Sequence, residues 1–189
     1  MRKLLCVPII HTEADLGSLK ESIRTRYPSQ QDWERQLVIA NQFWDEINRR
    51  IISAGLNYKQ LRVYQDGLPV CGRELDIVRD LAAQGSKNHQ LVVLIVEKGA
   101  TLEGTEAPNL LLEEYNYIKA ILQAKTEEKV AGAREEYRQK SQTLLQKRDA
   151  FIAARIDSTL KDGEVGLLFI GAMHEVEKKL SDDIQIVRL

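Results

Sequence analysis

Three short runs constrain this chain more than anything else in it. Leu4 to Ile10, Leu91 to Val96 and Val165 to Ile170 are apolar from end to end, with no polar alternation. A strand with one face in water alternates apolar and polar residues, so unbroken runs of this length predict strands buried on both faces, as in a parallel sheet covered by helices. The stretches between them carry helical periodicity. Asp32 is read as the cap of a helix in which Trp33, Leu37, Ala40, Phe43, Trp44, Ile47 and Ile51 recur every three to four residues, with Gly55 as its stop. Leu61 to Tyr64 is expected to be a further strand, closed by the Asp66-Gly67 turn and Pro69, and Glu74 to Ala83 a helix ending at Gly85.

From Pro108 the pattern is helical almost to Leu160, with Gly132 as the expected break, and Ile184 to Val187 is a last short strand. Strands separated by helices predict βαβ units. The expected fold is α/β: one domain over residues 1–189, with a mostly parallel central sheet flanked by helices and a helical insertion at about 108–147. Gln123 to Lys147 is too polar to be core throughout. It is expected to form a long polar hairpin that projects from the sheet or packs on a second subunit, most simply in a homodimer.

Composition narrows the partners. The chain has 189 residues, with 27 Lys and Arg against 28 Asp and Glu, so its net charge of -1 gives no electrostatic case for nucleic acid. Its longest apolar runs fall well short of the roughly 18 residues that span a bilayer, so no membrane is expected. Met1-Arg2-Lys3 before an apolar run resembles the start of a signal peptide, but Pro8, His11, Glu13 and Asp15 stand where a small-residue cleavage site belongs. Cys6 and Cys71 are too few and too dispersed for a disulfide framework, which points to reducing cytoplasm.

In open parallel sheets, ligands bind beyond the carboxyl ends of the strands. Two of the three histidines stand at such places, His11 after the first apolar run and His174 after Gly171-Ala172-Met173. Glu97 follows the run ending at Val96, and Glu13 follows His11. Each histidine has an ordinary alternative role, capping a strand-to-helix turn. In the helix around Leu144 to Leu160, Arg148 and Arg155 fall inside the apolar arc formed by Leu144, Leu145, Phe151, Ile152, Ile156 and Leu160. A buried guanidinium needs carboxylates or an anionic ligand, with Asp149 or the strand-end carboxylates as candidates; otherwise both arginines extend along the apolar surface with their heads in water.

Glu106 lies in a Gly-Thr-Glu-Ala-Pro loop before a helix, whereas Glu113 and Glu114 read as a solvated face or a local pair. No Gly-x-Gly-x-x-Gly and no Gly-Lys-Ser/Thr occurs, and there is no serine nucleophile elbow.

Taken together, Pro8-Ile9-Ile10-His11 at the first strand end, Val96-Glu97 at a middle strand end, Lys147-Arg148-Asp149 opening a helix with Ala153-Ala154, and Leu168-Phe169-Ile170-Gly171-Ala172-Met173-His174 form a pattern. It resembles the TraB/Tiki/erythromycin-esterase superfamily, whose members carry two Gly-x-x-His motifs at strand ends, a strand ending in Val-Glu, and an Arg-Asp helix leading into the second Gly-x-x-His. Arg148 through His174 is the closest match. Pro8 stands where the first motif has Gly, the chain is shorter than typical members, and Gln123 to Lys147 has no counterpart. Tiki proteins resemble metal-dependent proteases, erythromycin esterases use His and Glu to activate water, and TraB proteins are implicated in peptide pheromone shutdown.

The resemblance implies a hydrolase-like site in which His11 and His174 converge with Glu13 and Glu97. Arg148 is expected to bind an anionic or carbonyl oxygen, with Glu106 and Arg155 contributing to substrate binding. Neutral imidazoles and carboxylates of this kind either bind a divalent metal ion, here through His11, His174 and Glu97, or act as a His–Glu general base on water. The substrate expected is a small molecule or peptide. The alternative is a non-catalytic small-molecule or partner-binding domain that self-associates. On either view the Arg148 guanidinium is expected near Glu97, Glu13 or a bound anion, and its replacement by Met is expected to cost binding more than stability.

Overall fold

The computed structural model describes residues 1–10 and 29–189. The elements, in chain order, are β1 (Arg2–Pro8), α1 (Gln30–Ser53), β2 (Leu61–Gln65), α2 (Glu74–Ala83), α3 (Lys87–Glu97), β3 (Thr101–Glu103), α4 (Pro108–Gln123), α5 (Glu127–Thr159), β4 (Val165–Ile170) and β5 (Ile184–Arg188). The strands form one sheet in the order β3-β2-β4-β1-β5, and every pairing is parallel. The α/β class and the parallel sheet expected from the apolar runs are therefore what the chain forms.

The absence of polar alternation has a direct cause. Along each central strand, successive side chains enter opposite cores. Leu5, Val7, Leu61, Val63, Leu167 and Phe169 pack on one face against Trp44, Ile47 and Ile51 of α1, Val78 of α2, and Leu91, Val92 and Ile95 of α3. Leu4, Cys6, Tyr64 and Leu168 pack on the other against Ile152, Ala153 and Ile156 of α5. Both faces are covered, so neither can be polar.

One expected strand is a helix. Leu91 to Val96 lies inside α3, which Ser86 caps by accepting the backbone N–H of His89. A continuous apolar run of this length does not separate a buried strand from a buried helix, and here α3 packs with α2 on one face of the sheet. The true neighbour of β2 on that side is β3, only three residues long and at the sheet edge, too short to leave a pattern. Glu97 consequently ends a helix rather than a strand, and it is exposed.

The helical hairpin is present, but its break differs. α4 and α5 are joined by Ala124-Lys125-Thr126, while Gly132 lies within α5. Thr126 decides the boundary because its hydroxyl accepts the Lys129 backbone N–H as an N-cap, and a single helical glycine costs only about 1 kcal/mol. α1 likewise begins one turn ahead of Asp32, with Ser29 as the cap accepting the Asp32 backbone N–H at 3.1 Å.

Candidate functional site

Three chain segments leave the sheet at its carboxyl edge close together: Asp66-Gly67 after β2, Thr105-Glu106 after β3, and Gly171 to His174 after β4. α5 lies over this edge with Arg148 and Asp149 both buried, at 6% and 2% exposure. Two adjacent residues on one helix point to different partners, and together they organise the cluster.

Arg148 gathers carboxylates. Its Nε donates to Glu106 Oε2 at 2.7 Å, and its Nη2 donates to Asp66 Oδ1 at 2.8 Å and also to Glu106 Oε1. Nη1 donates to Glu114 of α4, whose other oxygen accepts the Tyr137 hydroxyl at 2.9 Å. Glu106 is fully buried. The sequence expectation that Arg148 sits in a core-facing arc and is compensated by carboxylates describes this geometry, but the partners are Glu106, Asp66 and Glu114. Glu97 is on the far end of α3, and Glu13 lies outside the described residues.

Asp149 does not pair with Arg148. Its Oδ1 lies 2.6 Å from His174 Nδ1 and its Oδ2 accepts the Glu175 backbone N–H at 3.0 Å. The opposite ring nitrogen, Nε2, lies 3.5 Å from Asp66 Oδ2. The imidazole is thus held between two carboxylates, with a side-chain exposure of 5%.

The backbone completes the cradle. Gly67, at φ +77, turns the chain so that its N–H meets Glu106 Oε1 at 3.0 Å. Gly171 brings its own N–H to Asp66 Oδ2 at 3.0 Å, and a Cβ there would stand 3.0 Å from that same oxygen. The Gly of the Gly-x-x-His segment is therefore a close-approach position.

Four carboxylates (Asp66, Glu106, Glu114 and Asp149) surround one guanidinium and one imidazole. Burial, and then the hydrogen bond with Glu106, push the Asp66 carboxyl up to about 6. Burial also acts to raise Glu106, but the Arg148 and Asp66 hydrogen bonds outweigh it and hold Glu106 below the usual carboxylate range. Arg148 is raised above its ordinary value because Glu106 first, then Asp66 and Glu114, outweigh the burial that opposes its charge.

Asp66, Glu106 and His174 each offer a ligand atom within 4.8 Å of the others, the one grouping of three metal-ligating side chains among the described residues. Oxygen and imidazole donors suit a divalent first-row cation, and the surplus of carboxylates supplies the charge for one. Of the His11, His174 and Glu97 set expected from sequence, His174 belongs to this grouping, Glu97 stands at the end of α3 and does not, and His11 lies outside the described residues.

Arg155 does not join this cluster. It donates to Gly104 O at 3.1 Å and to Glu103 Oε2 at 3.2 Å, bracing the end of β3 next to Arg62, which also binds Glu103. Three members are not marked as site residues by the sequence. Asp66 reads only as a turn residue, Glu114 as half of a solvated pair, and Asp149 as a partner for its neighbour; the gaps of 48 and 35 residues between them carry no local signal, although the place of Asp66 directly after a strand is one.

No protein-family model matches the chain, and neither the curated proteins nor the solved structures offer a significant match.

Proposed function

We propose that the chain is a hydrolase-like protein of the TraB/Tiki/erythromycin-esterase type, using the pocket at the strand ends to activate water on a small-molecule or peptide substrate. The observation that carries it is the His174 ring, fixed by Asp149 at 2.6 Å on one nitrogen and turned toward Asp66 with the other. It is supported by where the resemblance falls, since the segment from Arg148 to His174 supplies Arg148, Asp149, Gly171 and His174 to the cluster.

With Nδ1–H donated to Asp149, the lone pair of His174 is on Nε2, facing Asp66 and Glu106. A water bound there loses its proton to Nε2 as it attacks, and Asp149 stabilises the imidazolium that forms. The four bonds Arg148 makes leave one of its five N–H groups, on Nη1, for an oxygen that gains negative charge. In a metal-dependent form of the reaction, Asp66, Glu106 and the same Nε2 of His174 would hold a divalent cation, which would acidify a bound water itself, so that the imidazole would serve as a ligand in place of its role as base.

The test is a screen of the purified protein against ester, lactone and peptide-amide substrates, with zinc or manganese added and with chelator. Turnover of at least one class is expected, with a loss on the order of 100-fold in His174→Asn and Glu106→Gln. Absence of turnover in every condition, or turnover equal in the folded variants, overturns the proposal.

A second proposed role is favoured by α4, in which no residue is buried and Leu112 and Tyr115 are 59% and 41% exposed. That face suits a non-catalytic, partner-binding domain that self-associates as a two-fold dimer. No helix among the described residues is long and apolar enough to cross a membrane.

A further inference from the structure

Beside the charged cluster, on the α2 and α3 side of β2, lies a cavity of about 180 Å³. Ile9, Leu68, Ile77 and Leu81 give it apolar walls, and Asp66, Gly67 and His89 also line it, the His89 ring engaged through Nδ1 with the Ser86 hydroxyl at 2.7 Å. Two further lining side chains are Gln65 and Asn88, at 2% and 1% exposure, and the side-chain oxygen of each has no hydrogen-bond partner. Unpaired buried acceptors are rare because each forfeits its bonds to water without replacement. Here the two side chains that carry them line one cavity. The amide nitrogen of Gln65 donates to the Asp66 carbonyl at 3.3 Å, so the oxygen is the end left over. The last torsions of Gln and Asn are soft, which lets each oxygen turn toward an incoming donor.

The surroundings select the charge of that donor. Asp66 is the one carboxylate on the lining, and an ammonium ion would have to share it with Arg148 and Gly171, which already donate to its two oxygens. Asn88 also lies in the first turn of α3, whose positive end disfavours a cation. Two carbonyl oxygens repel a carboxylate. An uncharged N–H donor satisfies all three conditions. The size follows from volume, since a cavity of roughly 150 Å³ holds benzene.

We propose that this cavity is a binding subsite for a primary carboxamide, or an amide of the same kind, carried on a hydrocarbon body about the size of a benzene ring. Its part in substrate selection rests on the reading of the adjoining cluster as a reaction centre, whereas its ability to bind such a group does not. The carboxamide N–H groups donate to Gln65 and Asn88, and the ring lies on the apolar wall. The cavity then fixes which side of the substrate faces His174.

The experiment is an NMR titration of the full chain, following the side-chain amide resonances of Gln65 and Asn88 with benzamide, toluene, benzylamine and benzoate. Benzamide is expected to shift both saturably and to bind about tenfold more tightly than the other three. Gln65→Leu and Asn88→Leu are each expected to weaken it about tenfold, near the contribution of one hydrogen bond. Toluene binding equally well, benzylamine or benzoate binding more tightly, unchanged affinity in both folded variants, or no saturable shift up to about 10 mM benzamide overturns the proposal. Should a Leu variant fail to fold, the four-ligand series on the unmodified protein decides. Benzamide binding retained in His174→Asn, together with no hydrolysis by the unmodified protein, removes the hydrolase reading and leaves the subsite; hydrolysis without benzamide binding does the reverse.

Discussion

Asp149 and His174, 25 residues apart in sequence, are joined by a 2.6 Å contact between Oδ1 and Nδ1 that fixes which imidazole nitrogen faces the Asp66–Glu106 pair. The other Asp149 oxygen is held by the Glu175 backbone, so the carboxylate itself has little freedom. Asp149→Asn keeps the shape but presents a weaker acceptor or, if its amide turns, a second donor to the ring. The proposed chemistry predicts a loss on the order of 10- to 100-fold in kcat, with KM changed little, measured alongside circular dichroism to verify the fold.

Arg148 makes a prediction that differs from the one its sequence position suggests. Glu106 is wholly buried, and removing the guanidinium leaves it and part of Asp66 without their counter-charge. Arg148→Met should therefore destabilise the protein by about 3–5 kcal/mol in urea unfolding, rather than affecting binding alone. Adding Glu106→Gln to that variant removes the stranded charge and should recover part of the loss.

Asp66 sets a pH dependence. Its folded pKa, about 6, lies above the ordinary value of 3.8, so the folded state holds this proton more tightly than the unfolded state does. Stability from this group is complete below about 4 and is lost as pH rises through 6; the lowered Glu106 acts in the opposite sense at more acidic pH. Asp66→Asn, which resembles the protonated acid, should flatten the fall in urea midpoint between about pH 5 and 7.

The α4–α5 hairpin gives a prediction about assembly. If its exposed face packs on a second copy, light scattering at micromolar concentration should report the mass of a dimer, and Leu112→Lys with Tyr115→Lys should return the monomer mass. A monomer in the unmodified protein contradicts self-association through this face.

What the sequence made legible follows the physics of each element. Leu4 to Ile10 and Val165 to Ile170 announced a central sheet because both their faces are buried, whereas Arg148 in an apolar arc left compensating carboxylates, a bound anion and a head extended into water all open, and carboxylates are what it meets. Leu91 to Val96 misled because six apolar residues in a row carry no periodicity that separates helix from strand, and β3 at three residues has none to show. Glu114 looked solvated because its role comes from the hairpin laying α4 along α5, a tertiary relation that helical spacing does not encode. His174 was legible from its position after a buried strand; its partners were not, since Asp66 arrives from another strand and Asp149 from a helix.

The most direct measurement is kcat/KM for the unmodified protein and for His174→Asn on one substrate, both confirmed folded. A fall on the order of 100-fold or more is the predicted result, because Nε2 is the proposed base. A variant within about twofold of the unmodified protein would show that His174 takes no part in the reaction, contradicting the assignment of this cluster as the hydrolytic site.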